Sequence, residues 1–134
     1  MSFVLDNSGV TGWYLPGQAN AYTQAIAERL EADRVLVPAI WQLELANVLK
    51  TACTRGKLSI AAARKILDVL STLPIEVDSS PAPGQRQMLE LAMRHNLSSY
   101  DAAYLDLAVR LGLPIATQDA EPKAAAQTAD IEVL

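Results

Sequence analysis

The sequence predicts an α/β fold, a central and mostly parallel β-sheet flanked by α-helices, organised as one domain. Three observations lead there. Short apolar runs, rich in β-branched residues, recur at 2–5, 35–37, 75–77 and 113–117. Longer stretches between them repeat apolar residues at helical spacing, and that alternation builds parallel strands joined by helical crossovers. The chain has 134 residues, 51% of them apolar and 19% charged, enough for one hydrophobic core and unlike a disordered polymer.

Residues 2–5 form the first strand, and the polar break Asp6-Asn7-Ser8 ends it. A segment holding Trp13 and Tyr14 follows and is broken at Pro16-Gly17. Residues 19–32 read as an amphipathic helix, with Tyr22, Ile26, Ala27 and Leu30 on one side and Glu28, Arg29 and Glu31 among its charges. The β-branched strand 35–37 stops at Pro38. Residues 39–53 then give a helix that is apolar nearly all round, through Ile40, Trp41, Leu43, Leu45, Val48 and Leu49. Such a helix calls for cover on more than one side, from the core and from a second subunit.

The turn Arg55-Gly56-Lys57 ends that helix, and Ser59 is placed to cap another over 60–71. Ile75 and Val77 mark a strand after Pro74, and 84–95 is helical in pattern. Ser98 opens the clearest helix, carrying Tyr104, Leu105, Ala108, Val109 and Leu111, with Gly112 beyond its end. A strand at 113–117, a short helix over about 121–128 and a last strand at 131–134 complete the reading.

Several classes are excluded or disfavoured. One cysteine, Cys53, allows no internal disulfide and gives no sign of an oxidising compartment. The start of the chain is charged too soon for a secretory signal, and no apolar run approaches the roughly 20 residues that span a bilayer. A cytoplasmic location is expected. The net charge of −4 has the wrong sign for bulk attraction to nucleic acid. Between Glu44 and Asp68, however, there is no acid, while Lys50, Arg55, Lys57, Arg64 and Lys65 all fall there. This is either a solvated helical surface or a phosphate-contacting flank beside an acidic centre.

The acids are better placed for chemistry. Sites in open parallel sheets form outside the C-terminal ends of the strands. Asp6 stands at that end of the first strand and Asp119 just beyond the 113–117 strand; Glu44 and Asp101 lie early in the helices that follow Pro38 and Ser98. Four carboxylates brought together repel one another and raise their own pKa values unless a cation sits among them. Oxygen-only ligation suits Mg²⁺ or Mn²⁺, and nothing here resembles a zinc motif.

Each acid also has a structural explanation. Asp6 can start a turn, Ser98-x-x-Asp101 fits a helix cap, and Asp119 can cap the final helix. Glu44 is hardest to explain so, because a carboxylate among Leu43, Leu45 and Val48 needs a partner. Other candidates are weaker. Trp41 and Tyr100 neighbour the acids and either stack bases or pack. His95 lacks a matched nucleophile, Cys53 reads as packing, Asp106 falls off the Asp101 face and reads as exposed, and Asp78 is an outlying candidate at a strand end.

Val4-Leu5-Asp6-Asn7-Ser8, Pro38-Ala39-Ile40-Trp41-Gln42-Leu43-Glu44-Leu45-Ala46-Asn47, Ser99-Tyr100-Asp101-Ala102-Ala103-Tyr104-Leu105 and Thr117-Gln118-Asp119 stand in an order and at spacings that resemble the acidic motifs of PIN domains. The likeness covers essentially the whole chain and is nearest to the VapC-type toxins of toxin–antitoxin pairs. It implies a Mg²⁺-dependent endoribonuclease, with Mn²⁺ as an alternative ion, whose metal-binding and catalytic acids are Asp6, Glu44, Asp101 and Asp119, supported by Ser8 and Thr117. It also implies an RNA substrate, a homodimer, and an antitoxin whose tail lies over the acids, presenting a basic side chain. Ala120-Glu121-Pro122-Lys123 departs from the usual pattern and puts the shape of the last helix in question. Two readings compete: a receiver-like phosphoacceptor domain using Asp78, and a PIN scaffold that binds RNA or protein without cutting.

Overall fold

The computed structural model describes residues 1–15, 17–80 and 83–134. Its strands are Ser2–Leu5 (β1), Arg34–Val37 (β2), Ile75–Val77 (β3) and Ile115–Ala116 (β4). All pairings are parallel and the spatial order is β3-β2-β1-β4, so β1 is central. Helices connect them: Thr11–Tyr14 (α1), Ala21–Arg29 (α2), Ile40–Thr54 (α3), Ile60–Leu70 (α4), Gln85–His95 (α5), Ser99–Leu111 (α6) and Ala120–Thr128 (α7). The expected α/β architecture is present.

Phe3, Val4, Leu5, Val35 and Val37 are completely buried, as strands covered on both faces must be. β3 is the edge, and there Arg34 of β2 makes a bidentate pair with Glu76 at 2.8 and 2.7 Å. Helix starts follow side-chain chemistry. The side chains of Asn20, Ser59 and Ser98 accept from the backbone N–H groups of Thr23, Ala62 and Asp101. Gly112, with φ 65°, ends α6 in the left-handed conformation that favours glycine.

The helix over 39–53 turns one face to the core of its own chain, where Trp41, Leu45, Leu49 and Ala52 are buried, and leaves Leu43 69% exposed on the side for which a second subunit is expected. Several expectations need correction. The last strand shrinks to a single parallel bridge between Val133 and Ile115. Asp106 is not exposed; it is 5% exposed and accepts from Arg110 Nε at 2.7 Å. α6 buries five further residues between Ala102 and Ala108, so position relative to Asp101 alone could not reveal which face met solvent. Trp13 and Tyr14 are half-buried, and Trp13 Nε1 donates to the Thr23 carbonyl at 2.7 Å. The unusual Ala120-Glu121-Pro122-Lys123 stretch forms a regular helix start, with Pro122 in the first turn, where a missing N–H costs nothing. Of the predicted Pro16-Gly17 break, Pro16 lies outside the described residues; Gly17 takes φ 78°.

Candidate active site

The order of the strands reverses at β1, since β2 and β3 lie on one side of it and β4 on the other. Ligand crevices in parallel sheets open at such a point. Asp6 leaves β1 there and is held from several sides. Its Oδ1 accepts from Asn7 N at 2.8 Å, and its Oδ2 accepts from Ser8 Oγ at 3.0 Å and Thr117 Oγ1 at 2.7 Å. Thr117 leaves β4, so these bonds join the ends of two neighbouring strands. Ser8 Oγ also accepts from Gln118 N at 2.9 Å, and Thr117 Oγ1 from Asp119 N at 3.2 Å. Burial raises the Asp6 pKa against the lowering effect of Thr117 and Ser8.

Glu44 projects from the second turn of α3 and is half-buried. The partner it needed is Tyr104 of α6, whose phenol donates to Oε1 at 2.7 Å. Desolvation still pushes the Glu44 pKa up, aided by the charges of Asp6 and Asp101. Tyr104 is almost fully buried, and burial followed by its bond to Glu44 pushes its phenol far above the ordinary range. It remains a donor.

The capping explanation accounts for Ser98 but not for the Asp101 carboxylate. Ser98 Oγ accepts from Asp101 N at 3.1 Å, and among the described residues no hydrogen bond ends on the Asp101 side chain. Asp119 occupies the N-cap position of α7, yet its side chain makes no capping bond. Both pKa values are raised, first by desolvation and then by neighbouring acids: Asp119 and Glu121 act on Asp101, and Asp6 and Glu121 on Asp119.

All four acids line one open cleft of about 430 Å³, together with Ser8 and Gln118. The raised values come first from burial, and the repulsion between the acids adds to it. Hard, oxygen-only donors and two carboxylates free of internal partners suit a divalent cation. Convergence is incomplete, however: among the described residues no three acidic, histidine or cysteine side chains are grouped closely enough to hold an ion as placed. Asp101 and Asp119 are the side chains with freedom to close that gap.

A family model described as "PIN domain" matches residues 8–127, which include three of the four acids and begin just after Asp6. The chain belongs to the PIN-domain family. The chain is 32% identical over 90 residues to Ribonuclease VapC1 of Mycobacterium tuberculosis, a match covering 66% of this chain and 65% of that one. The matched part is therefore just under two thirds of the relative's length. Among solved structures, VapBC2 from Rickettsia felis, bound to a DNA fragment from its promoter, superposes with a TM-score of 0.70 at 12% identity, covering 100% of this chain and 98% of that one. FitAcB from Neisseria gonorrhoeae gives 0.68 at 21% identity, covering 100% and 96%. Those two likenesses speak for the fold.

Within this PIN domain the remaining candidates fall elsewhere. Asp78, which the receiver-like reading needed, lies off the four-acid cleft and accepts from Ser80 Oγ and, at 3.4 Å, from Arg110 Nη2. The Ser80 bond holds its pKa down. Family membership replaces the receiver-like reading. Trp41 is buried and packs in the core, its Nε1 without a partner among the described residues. Tyr100 is exposed beside a separate cavity that also takes in Asp78 and Arg110. Sequence reasoning missed Tyr104 as Glu44's partner, although it stands one helical turn from Asp101. It also missed Gln118, which donates from Nε2 to the Ser8 carbonyl at 2.6 Å and accepts from Asn20 Nδ2 at 2.8 Å.

Proposed function

We propose that this PIN domain is a metal-dependent endoribonuclease and the toxin of a toxin–antitoxin pair. The observation that carries the reading is the meeting, in one cleft, of four carboxylates from distant parts of the chain, all with raised pKa values. Asp6 and Asp101 would hold Mg²⁺, or Mn²⁺, with Glu44 and Asp119 as further ligands. When bound, the ion neutralises phosphate charge and activates water. Ser8 and Thr117 fix Asp6 through its Oδ2, and Tyr104 fixes Glu44. Asp119, exposed and without a capping bond, would use one carboxylate oxygen toward the ion and leave the other to take the proton of the attacking water. Hydrolysis adds that water across a phosphodiester P–O bond, leaving one fragment with a hydroxyl and the other with a phosphate.

The same acidic cleft suits a basic side chain from an antitoxin, and the exposed Leu43 and its neighbours fit a homodimer acting in the cytoplasm. The test is cleavage of cellular RNA with Mg²⁺, with Mn²⁺ and with excess chelator, by the wild type and by the Asp6→Asn and Asp119→Asn variants. Cutting that needs the ion and is lost in both variants, with folding retained, is expected. Cutting that survives the chelator would overturn the reading. The incomplete convergence of the acids favours one alternative, a PIN scaffold that binds without cutting. Metal-dependent RNA binding with no new RNA ends would be its signature.

A further inference from the structure

The acid cleft does not end at Glu44. A second cavity of about 280 Å³ adjoins it, and Gln18 lines both. Its wall continues the face of α3 that carries Glu44 in the acid cleft: Asn47 and Thr51, then Arg55 at the end of the helix and Lys57 beyond, with the apolar Leu15, Val48 and Ala52 forming its floor. The chemistry of this wall changes along its length. It runs from carboxylate through neutral amide and hydroxyl groups to two cations. Arg55 and Lys57 are exposed, and among the described residues neither enters an ion pair or donates a side-chain hydrogen bond to the protein. Along the chain no acid stands near them between Glu44 and Asp68.

We infer that Arg55 and Lys57, with Asn47, Thr51 and Gln18, form a phosphate-binding subsite for the backbone of a single-stranded RNA whose scissile phosphate lies at the acids. The inference rests on the ribonuclease reading above and adds where the strand runs. The helix carries the wall roughly 16 Å from Glu44 to Arg55, at ~1.5 Å per residue. The phosphate held at Arg55 is therefore a few nucleotides from the one being cut. This separation resolves the conflict between an acidic protein and a polyanionic substrate. The cations attract the strand at a point where the acids cannot repel it, and a chain lying along α3 enters the cleft from that side. Guanidinium and ammonium groups bind phosphate, while Asn47, Thr51 and Gln18 offer hydrogen bonds that make no charge demand.

The experiment compares Arg55→Ala/Lys57→Ala with a control of equal charge loss, Arg86→Ala/Arg94→Ala, whose side chains are exposed on α5 and line neither cavity. Binding of a labelled oligouridylate of roughly ten nucleotides is measured by anisotropy across a salt series with Mg²⁺ present, in Asp6→Asn protein so that the probe survives. Cleavage is measured in otherwise wild-type protein. The subsite pair should weaken binding roughly tenfold and flatten the slope of log affinity against log salt by about 1.4, two contacts' worth for a single strand. KM should rise with little change in kcat, and the control should stay near wild type. Binding unchanged by the subsite pair, or weakened equally by the control, overturns the inference even if the protein cuts RNA. Binding that depends on Arg55 and Lys57 in a protein that never cuts RNA upholds the subsite and overturns the ribonuclease reading. No binding by any form overturns the subsite, and if no RNA is cut either, the ribonuclease reading with it.

Discussion

At the scale of single residues, the site is a set of carboxylates unequally restrained. Asp6 is fixed by three donors and Glu44 by one, whereas among the described residues no hydrogen bond ends on the Asp119 carboxylate and Asp101 has only the nearby Ser98 hydroxyl. The Tyr104 hydroxyl is the restraint most open to a clean test. Tyr104→Phe keeps the ring in the core and removes only the bond to Glu44. That bond lowers the Glu44 pKa, so its loss raises the value further and frees the carboxylate to turn. Metal affinity or cleavage should fall roughly 10–100-fold, as for the loss of a ligand's hydrogen-bonded support. Titration calorimetry with Mg²⁺ reads the affinity, and a thermal melt should show a folded protein. Unchanged metal affinity would mean that Glu44 takes no part in binding the ion. Of these residues, the four acids were legible from the sequence because motif order carries over between chains. Tyr104 was not, because a tyrosine at a core position looks like packing until its hydroxyl is seen to meet a charge.

At the scale of elements, the short α1 and α2 approach each other closely beside the cleft. A Cβ added at Gly12 would strike the side chain of Thr23, which is buried and takes part in the capping box of α2. Trp13 Nε1 reaches the Thr23 carbonyl from the same turn. Gly12→Ala therefore forces two elements apart, and the expected cost is about 1–3 kcal/mol. That corresponds to a fall in Tm of about 4 °C for each kcal/mol in a domain of this size. Calorimetry should find it, and a variant as stable as the wild type would show that α1 yields freely. Strands and long helices were legible because their periodicity is intrinsic to the chain. The 131–134 strand and the outward face of 39–53 were not. Pairing length depends on what lies alongside, and an apolar side chain such as Leu43 does not announce whether a neighbour covers it. Asp106 failed for a related reason: Arg110, one turn on, makes its burial tolerable.

At the scale of the whole molecule, the raised acids couple folding to pH and, on the metal-dependent reading, to the ion. An acid whose folded pKa exceeds its unfolded value binds protons more tightly when folded. Stability then falls as pH rises from the ordinary carboxylate range through the raised value. Asp6, Glu44, Asp101 and Asp119 all act in that direction. Asp78 and the exposed Glu76 act oppositely, but their contribution is lost only as pH drops below the ordinary carboxylate range. The metal-free protein should thus melt higher near pH 5 than near pH 7.5, and Mg²⁺ should raise Tm more at the higher pH. Melts in chelator and in Mg²⁺ at both pH values test this. An equal metal effect at both would place binding away from these acids.

The unequal restraint of the carboxylates has a consequence for selectivity. A rigid cage sorts ions by radius, because its oxygens cannot follow a smaller or larger guest. Here Asp6 is held by three donors, while among the described residues no hydrogen bond ends on the Asp101 or Asp119 carboxylate. Such a cleft has little means of gauging ionic size. If the proposed ion binds there, the preference among divalent ions passes to the ions themselves, to how readily each gives up its own water.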